Sequence, residues 1–261
     1  MLSPKDTILA NNTLITATPN LKEHAGPITT SNVRIYDESG LYRSYDTNSS
    51  NATYYFRGNI TNNYVSFAGF VWGIVRINED GTIRIIMTEG INNNTKYQYK
   101  NPSDSSYYSN SIAKTTLETW YTSKLSSYET KIASGNYFCQ KQVKSEGITP
   151  TFKCTTDSNG YGLINTKIGL ITYDELHFAG TMYSRVNESF YLYNDNPYWT
   201  MTLNEKDLGW GNMIWTCGHQ GNGASIFYGS SYQRILIPVI NLKADVKVTG
   251  SGTSSNPYEV S

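Results

Sequence analysis

Apolar residues are spread unevenly along this chain, and their spacing predicts most of its elements. Val65, Phe67, Phe70, Trp72, Ile74, Val75 and Ile77 form a nearly continuous run, broken at Ala68-Gly69 and rich in β-branched and aromatic side chains. A run of that kind reads as one or two buried strands. Asn78-Glu79-Asp80-Gly81 then supplies turn chemistry, and Thr82-Ile83-Arg84-Ile85-Ile86-Met87 returns as the second arm of a hairpin. Asn92-Asn93-Asn94 and the polar residues after it read as a loop. The period then changes. Ile112, Leu117, Trp120, Tyr121, Leu125, Tyr128 and Ile132 recur along one face and predict a helix from Ile112 to Ala133. Ser109, Asn110 or Ser111 can cap its start and Gly135 its end.

Further on, Ile168-Gly169-Leu170-Ile171 reads as a short strand leading into Thr172-Tyr173-Asp174-Glu175, which has capping-box spacing for a second, shorter helix ending at Gly180. Asp174 and Glu175 sit in the first turn of that helix, where capping and dipole pairing explain them better than an acid/base couple does. Beyond Gly180 the pattern predicts strands at Phe190 to Tyr193, Tyr198 to Thr202, Met213 to Cys217, Ala224 to Tyr228 and Arg234 to Leu242, arranged as an antiparallel meander, with Tyr258-Glu259-Val260 as a final edge strand. Residues 1–52 differ in kind. They are rich in Asn, Thr and Ser, carry Pro4, Pro19 and Pro27, and show only a short helical pattern near Lys5 to Ala10. That segment reads as an N-terminal arm or stalk, ordered only where it docks. The predicted architecture is therefore α+β: an arm over 1–52, then one domain over 53–261 in which two helices flank antiparallel sheets.

Composition removes some function classes. Lys+Arg and Asp+Glu balance at 21 each, so no basic footprint marks a nucleic-acid partner. Only 16% of residues are charged while Tyr reaches 22, so surface polarity comes from amides and hydroxyls. Nothing approaches the roughly 18 to 20 continuous apolar residues of a membrane span, and Met1-Leu2-Ser3-Pro4 does not begin a signal peptide. The expectation is a cytosolic chain, or an ectodomain whose leader or anchor has been left off. The cysteines bear on that choice. Pairing Cys139 with Cys154 would close a loop of about 15 residues, worth ~3 kcal/mol in the chain-entropy model, and would imply an oxidising compartment. Two free thiols are the alternative; no His or further Cys lies nearby at zinc-ligand spacing. Pairing is the reading adopted, and it favours an extracellular, cell-surface location with a membrane reached only through an anchor absent from this chain.

Catalytic motifs are missing. The chain has no Gly-rich phosphate loop, no Gly-x-Ser-x-Gly elbow and no His-Glu-x-x-His. His24, His177 and His219 are scattered, and Cys217 with His219 is a weak basis for a nucleophile pair. Asn194, Asp195 and Asn196 are hard oxygen donors on a loop and leave calcium open. The expectation is no catalytic residue, no cofactor and no metal, hence no enzyme.

What remains is the last third, where Trp210, Asn212, Met213, Trp215, Cys217, His219, Phe227, Tyr228, Tyr232, Gln233 and Arg234 lie among Gly and Asn. Large rings on turn-rich backbone supply contact area at low entropic cost. The alternative is that these rings are ordinary core of a β-rich domain.

Tyr54-Tyr55-Phe56-Arg57-Gly58, the Phe67 to Arg84 hairpin, Phe138-Cys139, Phe152-Lys153-Cys154, Gly169 to Glu175, Tyr198-Trp199-Thr200-Met201, Pro238 to Val246 and Gly252 to Tyr258 follow one another in an order that resembles a family of surface and pilin-like proteins of gut Firmicutes and Mollicutes. That family is similar to C-type-lectin-like domains, and some members are variable proteins of diversity-generating retroelements. The resemblance implies a C-type-lectin-like domain whose ligand contacts come from Trp210 to Arg234, a segment the retroelement diversifies. It implies a cell-surface, adhesin-like recognition protein that binds a protein or other surface ligand, with no nucleic acid. The alternatives are a pilin or surface-layer subunit using the same surface for self-assembly and, third, an enzyme resembling the sulfatase-activating relatives of the lectin fold. Two positions depart from the family pattern: Ile235-Leu236-Ile237 stands where Gly-Val-Arg is expected, and Gly73 stands where Arg is expected after Trp72. The Glu-Pro-Asn, Gln-Pro-Asp and Trp-Asn-Asp signatures of sugar-binding C-type lectins are absent.

Overall fold

The structure is a computed structural model and describes residues 2–21, 38–100, 108–143, 149–156, 160–181, 190–204, 213–217, 226–229 and 232–261. In chain order its elements are helix α1 (Pro4–Ala10), strands β1 (Leu14–Ile15), β2 (Gly40–Ser44), β3 (Thr53–Arg57), β4 (Tyr64–Phe67), β5 (Phe70–Ile77), β6 (Ile83–Met87) and β7 (Lys96–Gln98), helix α2 (Ile112–Lys124), strands β8 (Phe138–Val143) and β9 (Gly160–Ile164), helix α3 (Tyr173–Ala179), and strands β10 (Tyr198–Asn204), β11 (Met213–Cys217), β12 (Ile226–Gly229), β13 (Gln233–Ile235), β14 (Val239–Leu242), β15 (Val248–Thr249) and β16 (Tyr258–Val260). The class is mixed α+β, with short helices and mostly sheet.

A nine-stranded sheet runs β1-β2-β3-β5-β4-β16-β15, with β6 on β5 and β14 on β6. Its centre is the predicted hairpin: β5 pairs antiparallel with β6 from Trp72↔Met87 to Ile77↔Ile83, across the turn at Asn78 to Gly81. Ala68 and Gly69, both at positive φ (55° and 79°), turn β4 into β5. The segment expected as an arm contributes β1 and β2 to this sheet, and its helix α1 packs at the β15 end. Arg57, fully buried, anchors it by donating to Asn20 O (3.1 Å) while its other terminal nitrogen donates to His177 O (2.7 Å) and Phe178 O (3.2 Å) at the end of α3. A cation there satisfies helix-end carbonyls and complements the dipole.

A seven-stranded sheet runs β12-β11-β10-β13-β7, with β8 on β10 and β9 on β8. The expected meander holds only for β10, β11 and β12. On its other flank β10 pairs in parallel with β13 at Tyr198↔Ile235 and with β8 at Leu203↔Gln142. Other expectations are corrected as well. The strand expected from Arg234 to Leu242 is two strands in two sheets: β13 in the second and β14, on β6, in the first. Pro238 separates them, since it has no N–H for a ladder, and its carbonyl instead accepts from Met87 N. The helix expected to reach Ala133 ends at Lys124 and tightens into a 3-10 turn over Ser126–Lys131, because Ser126 and Ser127 are weak helix formers. Phe190 to Tyr193 is a turn, closed by Tyr193 N donating to Phe190 O, and Ile168 to Ile171 contributes only an isolated bridge, Gly169↔Val239.

Behind the sheets, α3 carries the predicted capping box. Thr172 Oγ1 accepts from Glu175 N (3.2 Å) and the Glu175 carboxylate accepts from Thr172 N (3.0 Å). Glu175 also does something the spacing does not show. Its Oε1 lies 2.6 Å from Arg84 Nε and 3.3 Å from Arg76 Nε, and its Oε2 accepts from an Arg84 terminal nitrogen at 3.2 Å. Burial pushes this carboxyl up, but Arg84 and Arg76 outweigh it and hold the acid below its ordinary value. Phe138 lies under the Arg84 guanidinium and Phe152 under that of Arg76, at 4.5 and 4.9 Å. Phe152 is itself stacked on Phe178 (3.8 Å between centroids) and tethered by the Cys139–Cys154 disulfide (Cα–Cα 5.7 Å) that the spacing predicted.

Candidate functional site

The proposed binding segment is built outward from β10. Every residue from Tyr198 to Leu203 is buried, so this strand is core on both faces. Trp199 donates its indole N–H to Tyr97 O (2.8 Å) and meets the Tyr99 ring edge-on at 5.6 Å, while the Tyr198 hydroxyl donates to Leu192 O (2.8 Å). Burial pushes the Tyr99 hydroxyl well up, so it stays neutral. β10 is thus a rigid rail on which the aromatic run is mounted.

Of the predicted residues, Met213, Trp215 and Cys217 lie on β11 and Phe227 and Tyr228 on β12. The hairpin register sets Trp215 opposite Phe227, Ile214 opposite Tyr228 and Met213 opposite Gly229. β11 follows β10 with Cys217 opposite Tyr198. Trp210, Asn212 and His219 lie outside the described residues. Tyr232, Gln233 and Arg234 arrive from the other side: β13 joins β10 at Ile235, on the flank away from β11. The structure therefore places the described members of the predicted set on both sides of one buried strand.

Tyr232 is 55% exposed, and the Arg234 guanidinium lies over its ring at 5.7 Å. A terminal nitrogen of Arg234 donates to Gln233 O (2.8 Å), and Gln233 is exposed. Beyond them, Gln98, Tyr97 and Lys96 of β7 stand opposite Gln233, Arg234 and Ile235. Tyr97 in turn lines a groove of about 450 Å³ between β7 and α2, walled by Thr115, Thr119 and Lys124 and floored by Trp120. Asn92 closes one end by donating its amide to the Tyr97 hydroxyl (2.8 Å). Sequence reasoning missed Tyr97 and Asn92. The available signal was the triple asparagine: Asn92, Asn93 and Asn94 all adopt positive φ (50°, 56° and 60°), a conformation Asn tolerates better than most residues.

The other candidates stand apart. His177 is buried on α3, its ring 4.2 Å from that of Tyr173. Asn194 Oδ1 accepts from Asn196 N (2.8 Å), which commits one of the oxygen donors considered for calcium to a turn. Among the described residues, no group of three His, Cys, Asp or Glu is placed to hold a metal ion. The arrangement supplies ring area, amide donors and acceptors and one cation beside an exposed tyrosine. Compared with models of protein families, with curated proteins and with solved structures, the chain matches none.

Proposed function

We propose that this chain is a cell-surface recognition protein, of C-type-lectin-like architecture, whose ligand contacts come from residues 210–234. One observation supports this reading above the rest: the aromatic run is mounted on a strand buried from Tyr198 to Leu203, and the described end of the run, Tyr232 with Arg234, is held at the surface. A fixed rail with changeable residues beside it is what a diversified receptor needs, because substitutions there leave the core alone. The ligand is a protein or another surface molecule, and the location is extracellular. The disulfide is consistent with that location.

The test is to sequence this locus across many cells of the source population. Substitutions concentrated between residues 210 and 234, at positions templated by Asn codons, are expected; an invariant segment overturns the diversified reading. Self-assembly, the second reading, is favoured by a separate observation: among the described residues β12 stands at an end of the second sheet, where a strand edge can accept another chain. Oligomers that grow with concentration and vanish when Phe227→Lys is introduced on β12 would select it.

A further inference from the structure

A large groove among the described residues lies between β4–β6 of the first sheet and the turn at Phe190 to Tyr193, reaching Tyr198 at the start of β10. It measures about 610 Å³, within the roughly 300–1,000 Å³ of small-molecule sites. Gly73 is its floor. This residue sits mid-strand in β5, opposite Tyr64 on one side and Ile86 on the other, and it is flanked in sequence by Trp72 and Ile74. A Cβ there would come no nearer than 3.4 Å to Asn63 Nδ2 and 3.9 Å to Tyr191 Cδ2. The neighbours therefore permit a side chain at 73, and its absence leaves the space open.

The walls are as specific as the floor. Tyr64 and Tyr191 supply rings, and every described residue lining the groove is uncharged. The polar groups are set in advance. Asn63 donates its amide to Ile74 O (3.0 Å), which turns its Oδ1 into the remaining acceptor. Asn194 uses its Oδ1 to accept from Asn196 N, which leaves its Nδ2 as the remaining donor. Thr88 donates its hydroxyl to Val71 O (3.2 Å) and keeps its lone pairs. Both amide orientations follow from their partners, since only the NH₂ can bond a carbonyl and only the oxygen can bond an N–H.

A charged ligand would lose hydration here with no counter-charge among the described lining residues to replace it. A purely apolar ligand would cover these amides and leave them unpaired. A neutral molecule with an apolar ring face and a rim of hydroxyls, each both donor and acceptor, satisfies rings and amides together. We propose that this groove is a binding site for a neutral saccharide, its sugar ring seated over Gly73 between Tyr64 and Tyr191, and its hydroxyls on Asn63, Thr88 and Asn194.

Titration calorimetry of the full chain tests this with hexasaccharides of glucose, galactose, mannose and N-acetylglucosamine, and with a hexamer of galacturonate as the charged comparison. At least one neutral hexasaccharide is expected to bind saturably and the galacturonate not. Gly73→Thr, which suits a strand, is expected to weaken that binding at least tenfold with an unchanged thermal midpoint. Asn194→Asp, which keeps the bond from Asn196 N and replaces the donor by a charge, is expected to weaken it similarly. Tyr232→Ala is expected to leave it intact, so failure at this groove and failure of the 210–234 segment are read separately. Absence of binding by all four neutral sugars, tighter binding of the galacturonate, or binding that survives Gly73→Thr overturns the proposal.

Discussion

The two sheets handle polar groups in opposite ways. In the first, charge is taken inside: Arg57, Arg84 and Glu175 are nearly fully buried, and each is held by partners distant in sequence. In the second, the described charge stays at the rim, where Arg234 rests on an exposed tyrosine and the buried strand β10 carries only neutral side chains. The difference separates what keeps the molecule folded from what it can show to a partner. A buried ion cluster tolerates little change because removing one member strands the others, whereas an exposed cation–π pair can be replaced at small cost.

Glu175→Gln breaks the first half of that comparison and carries the largest expected effect. It keeps the size of the side chain but takes the carboxylate from the buried Arg84 and leaves Arg76 only its longer pair with Glu79 (3.5 Å), so a loss of about 3–5 kcal/mol is expected in urea unfolding at pH 7. The same term predicts a pH dependence. Glu175 is held below its ordinary value of 4.5, so its contribution is complete above that value and is lost as pH falls through its lower folded value. The gap between wild type and Glu175→Gln should narrow steadily in unfolding series taken from pH 5 downward; a gap that stays constant would mean the carboxylate is not the origin of the stabilisation.

Removing the disulfide comes next. Its cysteines are 15 residues apart, and Cys139→Ala with Cys154→Ala is expected to cost about 3 kcal/mol from loop closure. Phe152 lies between them in sequence and covers the Arg76 side of the ion cluster, so the double variant should also couple to Glu175→Gln. Unfolding midpoints of the single, double and triple variants check this; strict additivity would show that the staple and the cluster act separately.

How much of this was legible depended on distance along the chain. The β5–β6 hairpin and the Thr172–Glu175 box were readable because turn and cap chemistry is local. The Glu175–Arg84 bond joins residues 91 apart, and no spacing rule links the first turn of a helix to a strand that far back in the chain. The strand expected from Arg234 to Leu242 divides between two sheets for a related reason. Both halves are apolar, and period alone does not say which sheet a strand joins; Pro238 was the signal that it changes. β1 and β2 escaped notice because two and five residues carry too little alternation to stand out from a polar segment. For the candidate site, the strands of the aromatic run were legible from their β-branched and aromatic content. The groove beside Tyr97 was not, since its walls come from β7 and α2, which meet only in the folded chain.

The smallest effect sharpens the second half of the comparison. Trp199 and Tyr232 are both large aromatics attached to the second sheet, but Trp199 is fully buried and Tyr232 is 55% exposed. Trp199→Ala is expected to cost about 3–5 kcal/mol, as large-to-small changes in a packed core do. Tyr232→Ala should stay within about 0.5 kcal/mol, because a ring more than half exposed removes little apolar surface from water. Thermal or urea unfolding of the two single variants measures the contrast. If Tyr232→Ala costs as much as a core substitution, its ring belongs to the scaffold, and the recognition surface has to be sought elsewhere on the sheet. If the change is silent, Tyr232 is held at the surface without being needed for folding, which is the condition a diversified contact residue must meet.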